Sequence, residues 1–134
     1  MGVVICDIDG CLADSRWRDD LAYDLLSGDA PVETVIKIVN LLASEPCYNT
    51  VILVTGRPNA CRMATIGWLN SHDVRWDHLL MRPDGDRTPT ADLKLKLMKE
   101  VSSWTEAILI IEDRSDCVDA LKCLGKPVLQ VHLP

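Results

Sequence analysis

Two carboxylates stand two positions apart in Val3-Val4-Ile5-Cys6-Asp7-Ile8-Asp9-Gly10-Cys11-Leu12. Like charges held close together either raise one pKa or attract a cation. A hard divalent ion with oxygen ligands, Mg2+ above all, suits such a pair. A carboxylate can also attack phosphorus or move a proton. Further along come Thr55-Gly56-Arg57, Arg82-Pro83-Asp84-Gly85-Asp86, Lys94 and Glu112-Asp113. They add a hydroxyl, cations for an anion and a second acidic pair. Arg18, Arg57, Arg82, Arg87 and Arg114 make up the candidate basic patch, and arginine suits bidentate contact with phosphate. Taken singly, each arginine reads as a surface charge and Lys94 as a solvated helix lysine.

These residues need elements to bring them together. The apolar run before Asp7 reads as a strand buried on both faces, and strand alternation turns Asp7 and Asp9 to the same side. Further strands are expected over residues 50–54, 76–81 (the weakest), 107–111 and 127–131. Helices are expected over residues 21–26, from Pro31 onward, over 59–70, and over 91–101 with Leu93, Leu97 and Val101 on one face. A last helix is capped by Ser115 or Asp116 and stopped by Gly125. Apolar strands alternating with helices predict a parallel sheet covered on both faces, an α/β fold in three layers of the doubly wound kind. Ligands of such sheets bind at the carboxyl ends of the strands, where the polar clusters fall.

The composition sets limits. The 134 residues suffice for one domain, 1–134, with one well-buried core. The chain is 48% hydrophobic and 25% charged, ordinary for a soluble globular protein. Its formal charge of −6 excludes a global attraction to nucleic acid, so any such contact needs a local basic patch. No signal peptide and no apolar stretch of membrane-spanning length is present, which predicts no membrane partner. Six cysteines without Cys-x-x-Cys spacing, and histidines without ligand spacing to them, point to a reduced cytoplasmic protein rather than a disulfide or zinc scaffold. Trp17 and Trp76 are candidates to stack on a base, Trp68 and Trp104 to pack in the core, and His72 and His78 read as surface residues.

Asp7-Ile8-Asp9-Gly10, Thr55, Lys94 and Glu112-Asp113 resemble, in order and spacing, the motif set of the haloacid dehalogenase (HAD) superfamily of phosphotransferases. With Arg18, Val54-Thr55-Gly56-Arg57, the Arg82–Asp86 loop and Ile111-Glu112-Asp113-Arg114, the chain looks similar to the phosphatase domain of phage polynucleotide kinase-phosphatase. The resemblance implies a Rossmann-like HAD sheet with a minimal cap or none, because core elements fill the gaps of 45 and 39 residues that separate Gly10, Thr55 and Lys94. An open site follows, which suits a large substrate. It also implies roles. Asp7 is the nucleophile that forms an aspartyl-phosphate. Asp9 is the general acid and then the base. Thr55 and Lys94 stabilise the phosphoryl group. Mg2+ is held by Asp7, Asp9 through its carbonyl, Asp113 and Glu112, with Asp113 the more direct of the acidic pair. Gly10, Gly56, Arg18, Arg57 and Arg82 bind substrate, and Asp86 orients one of the arginines.

Two departures stand out. Cys11 occupies a position where the family has Thr or Val, and the acidic pair is Glu-Asp where the near relative has Asp-Asp. The implied function is an Mg2+-dependent phosphomonoesterase acting on DNA or RNA 3′ ends. One alternative is a small-molecule phosphatase, with nucleotides the leading substrates. Another is a non-catalytic module that keeps the fold for protein contacts, against which stand both Asp7 and Asp9. A receiver-type phospho-acceptor reading fails on the order of the motifs.

Overall fold

Val3–Cys6 form β1, the central strand of a five-stranded sheet in the computed structural model, which describes residues 2–134. Met1, counted in the expected domain, lies outside the described residues. Ala13–Asp14 (β2) and Ala30–Pro31 (β3) pair as a small antiparallel ribbon. Then follow α1 (Glu33–Ala43), β4 (Thr50–Pro58), α2 (Arg62–Ser71), β5 (His78–Arg82), α3 (Thr90–Lys99), β6 (Ala107–Glu112), α4 (Ser115–Leu121) and β7 (Val128–Gln130). The sheet order is β5-β4-β1-β6-β7, every pair parallel.

The alternation of β1 divides the core. Val4 and Cys6 pack with Val35, Ile36 and Val39 of α1 and with Trp68 and Leu69 of α2. Val3 and Ile5 pack with Leu93, Leu97 and Met98 of α3 and with Leu121 of α4. Helices therefore cover both faces, and the three-layer doubly wound α/β architecture is the one expected. No helix among the described residues is long and apolar enough to cross a membrane.

Several local expectations need correction. Pro31 does not open a helix. It lies in β3, paired with Ala13, and α1 starts two residues later at Glu33. The helix expected over 21–26 is a 3-10 turn at Tyr23–Gly28. Trp76 precedes β5, and Val101 falls beyond the end of α3. Gly125 does close its helix, at φ 68°, the left-handed conformation in which glycine carries no Cβ penalty.

The most consequential correction concerns Asp7 and Asp9. β1 ends at Cys6, so strand alternation does not reach them. The chain instead wraps around the Ile8 carbonyl, which accepts the amides of Cys11, Leu12 and Ala13. Gly10 makes this turn possible at φ 84°. A Cβ there would collide with the Asp113 carboxylate, so glycine is required for space as well as conformation.

Candidate active site

The tips of β1, β4 and β6 meet in a cleft of about 1030 Å³ whose lining includes Asp7, Asp9, Thr55, Arg57, Lys94 and Asp113. The tight turn after β1 sends Asp7 and Asp9 into two different walls of this cleft.

Asp7 faces the acidic wall. The Lys94 ammonium, on the first turns of α3, lies 2.8 Å from Asp7 Oδ1 and 2.6 Å from Glu112 Oε2. Lys94 is buried, so the solvated-lysine reading does not hold. Burial lowers its pKa, but Asp7 and Glu112 outweigh that and hold it above the ordinary lysine value. Burial pushes the Asp7 carboxyl well up; Lys94 opposes the shift, while Glu112 and Asp113 add to it. Asp113 is raised to about 6, by burial and then by the neighbouring Glu112 carboxylate. Burial also raises Glu112, but Lys94 and its hydrogen-bond partners leave it below its usual value.

Glu112 was expected among the metal ligands, and the structure gives it another task. Its Oε2 holds Lys94, and its Oε1 accepts the backbone amides of Asp113 and Arg114 at 3.0 and 3.3 Å. The extra methylene lets it turn back into the fold. Ligand atoms of Asp7, Cys11 and Asp113 instead lie within 4.8 Å of one another. Asp113 Oδ1 is buried and accepts no hydrogen bond. An orphaned carboxylate oxygen beside a second buried carboxylate fits a hard divalent cation such as Mg2+.

Asp9 belongs to the other wall. Arg57, on β4, donates to it from Nε at 3.0 Å and from Nη2 at 2.7 Å, a bidentate clamp. Arg57 is itself buried, bonded to Thr65 Oγ1 and to Asp29 Oδ2. Arg18 donates to both Asp29 oxygens at 2.8 and 2.9 Å and approaches Asp9 at 3.4 Å. Trp17 Nε1 adds a further bond to Asp29 at 2.8 Å. The Asp29 side chain is fully buried and accepts from three residues. Its role was not legible in the sequence. The available signal was indirect: two arginines drawn into a fold need an acid, and Asp29 follows the Ser27-Gly28 turn.

The expected basic patch is thus smaller than its five arginines. Arg18 and Arg57 are neutralised inside the fold. Arg82 donates to the carbonyls of Gly56, Asp86 and Thr88 and to Thr90 Oγ1, tying the end of β4 to the loop before α3. Asp86 lies 3.6 Å from Arg82 and accepts the Thr88 amide. Arg114 pairs with Asp116. Arg87, exposed in the cleft lining, has no hydrogen-bond or ion-pair partner among the described residues. Gly56 lies beside Thr90, where a Cβ would come to 3.3 Å of its methyl. Thr55 Oγ1 accepts the Arg57 amide, leaving its own proton free to donate. Trp68 packs in the core, Trp17 is exposed, and His132 is a cleft residue that sequence reasoning overlooked.

The fold and site have known counterparts. Two solved structures superpose at a TM-score of 0.89. One is a Pnkp1/Rnl/Hen1 complex, at 29% identity over 96% of this chain and 45% of the matched one. The other is a Pnkp1/Rnl/Hen1 RNA repair complex, at 28% identity over 98% and 42%. This chain therefore spans less than half the length of those matched chains. A Thermotoga maritima protein described as a candidate β-phosphoglucomutase shares the fold at 15% identity and a TM-score of 0.64, over 100% of this chain and 87% of its own. No curated protein matches the chain. The family model of the polynucleotide kinase PNKP phosphatase domain matches residues 1–133. The chain therefore belongs to that family, the HAD-type phosphatase domains of polynucleotide kinases.

Proposed function

We propose that residues 1–134 form one phosphatase domain, an Mg2+-dependent phosphomonoesterase that removes 3′-phosphates from polynucleotide ends, RNA ends above all. The observation that carries this reading is the buried Lys94–Asp7 pair facing the partnerless oxygen of Asp113. The RNA preference draws on the matched Pnkp1 chains, one of which is described within an RNA repair complex. A reducing, cytoplasmic setting fits six cysteines that form no disulfide.

Each residue has a task in this chemistry. An Asp7 oxygen forms a bond to phosphorus as the bond to the leaving alkoxide breaks, which splits one hard displacement into two easier ones. Asp9 gives the alkoxide its proton and then takes a proton from the water that frees Asp7. The Arg57 clamp fixes where that proton exchange happens. Thr55 donates its free hydroxyl proton to the phosphoryl oxygens, and Lys94, with a third N–H beyond its two acids, adds a full charge. Gly10 and Gly56 bring backbone close to the phosphate. Asp7, the Asp9 carbonyl and Asp113 are the residues that would hold Mg2+, which when bound shields Asp7 from the phosphate's own charge.

The test is phosphate release, with Mg2+ or EDTA, from a 3′-phosphorylated oligoribonucleotide, its 5′-phosphorylated counterpart and a mononucleotide. Metal-dependent release from the 3′ end alone is expected. Preference for the mononucleotide would replace this reading with a nucleotide phosphatase. That second reading is favoured by the net charge of −6 and by the internal pairing of Arg18 and Arg57.

A further inference from the structure

We propose that Cys11 makes the metal site of this chain thiophilic: with Asp7 and Asp113 it binds a borderline or soft divalent ion, Zn2+ or Cd2+, in competition with Mg2+. The inference rests on the reading of Asp7 and Asp113 as metal ligands.

Three observations carry it. The Cys11 sulfur and one oxygen each of Asp7 and Asp113 lie within 4.8 Å of one another. Donors of a tetrahedral zinc site stand roughly 3.5 Å apart, so closure takes a movement of about an ångström. Second, Asp113 Oδ1 is buried without a partner, and the Cys11 side chain is fully buried. Third, the Cys11 backbone is fixed by the turn, its amide bonded to the Ile8 carbonyl at 3.1 Å, so only the side chain has to adjust when an ion arrives. A threonine here would offer a hard hydroxyl. Thiolate instead selects zinc and softer metals, whereas carboxylate and carbonyl oxygens suit Mg2+.

The binding step is a simple exchange. A metal–sulfur bond forms, the S–H bond breaks and the proton leaves to water; nothing is oxidised or reduced. An ion held by the Cys11 thiolate takes the place of the Mg2+ that the oxygen ligands would otherwise hold, so uptake of Zn2+ or Cd2+ is inhibitory and gives this phosphatase a sensitivity to soft metals.

The experiment is a titration of the full chain with Cd2+ alone, read by the ultraviolet charge-transfer absorption of cadmium thiolate. It is carried out in a Cys47→Ser, Cys123→Ser background, which removes the two exposed thiols. The expected result is one equivalent of Cd2+, displaced by excess Mg2+. The band should vanish in Cys11→Thr, and the affinity should drop at least about tenfold in Asp113→Asn. Cys11→Ser and a thermal melt of each variant guard against loss of fold. An unchanged band in folded Cys11→Thr or Cys11→Ser overturns the role of the thiol. If Mg2+ neither displaces Cd2+ nor raises the melting temperature of the background protein, the metal reading of Asp7 and Asp113 fails, and the proposal with it.

Discussion

The two walls of the cleft hold similar residue types in opposite electrostatic states. On one wall three acids, Asp7, Glu112 and Asp113, face a single cation, Lys94, leaving a formal excess of two negative charges. On the other, two acids, Asp9 and Asp29, face two cations, Arg18 and Arg57, with no excess. The first wall is unsatisfied: carboxyl pKa values are pushed up and one buried oxygen has no partner. The second is complete without any ligand, its guanidinium donors bonded to carboxylates and to Thr65. Local conflict of the first kind belongs at functional sites, where a ligand resolves it. The difference separates an unsatisfied wall from a self-sufficient one: on the proposed function the acidic wall would take the divalent cation and the phosphoryl group, and the arginine wall holds Asp9 still.

The largest effect that would break this contrast is at the nucleophile. Asp7→Asn should lower turnover by about 10⁴-fold or more, while the metal-free protein melts no lower than the parent, because one of the crowded acids has gone. Residual turnover near the parental rate would remove the aspartyl-phosphate route.

On the opposite wall the expected loss is of stability. Asp29→Ala leaves two buried guanidinium groups with one half-exposed acid between them. Breaking buried ion pairs from one side costs about 3–5 kcal/mol, so urea unfolding should show a loss of that size, together with reduced activity through a misplaced Asp9. A cost under about 1 kcal/mol would mean that the arginine wall is not the self-sufficient unit described.

The two walls should also respond differently to pH and metal. Asp113 titrates at about 6 in the folded chain against an ordinary 3.8. A raised carboxyl pKa means that the folded state holds the proton more tightly. Stability is then greatest below the unfolded value and falls as pH rises from about 4 to about 6. Asp7, also raised, adds in the same direction, whereas Glu112, lowered, acts only at more acidic pH. In EDTA the melting temperature should decline across that window. Mg2+ at a hundred times its dissociation constant should restore about 2.7 kcal/mol, and Asp113→Asn should weaken both effects. A flat EDTA profile would count against an unsatisfied acidic wall.

The smallest effect is at the rim. Arg87→Ala should leave stability within about 0.5 kcal/mol, yet weaken oligonucleotide binding and lower the slope of log affinity against log salt by about one. Arg82→Ala offers the contrast, since its bonds to three carbonyls predict a stability loss as well.

The sheet and the location of the site could be read from the sequence because hydrophobic spacing is local. Val3–Cys6 and the stretch from Ala107 to Ile111 are continuous apolar runs, and such runs place polar residues at strand tips whatever the rest of the chain does. Identification of Asp7, Thr55, Lys94 and Asp113 as one constellation followed from their order along the chain. The same reasoning misjudged Asp9, because its direction depends on a turn of five residues rather than on the strand, and Pro31, because a ribbon partner eighteen residues earlier outweighed its preference for a helix start.

The sequence alone thus determined the layers, the edge of the sheet where the cleft lies and most of the charged residues that gather there. Only the tertiary structure decided which charges neutralise one another. Arg57 meets Asp9 across 48 residues and Asp29 across 28, and Lys94 meets Glu112 across 18. No period along the chain encodes those pairings. They form because a charge drawn into the interior must find its opposite, and which opposite lies within reach is fixed by how the strands and helices pack.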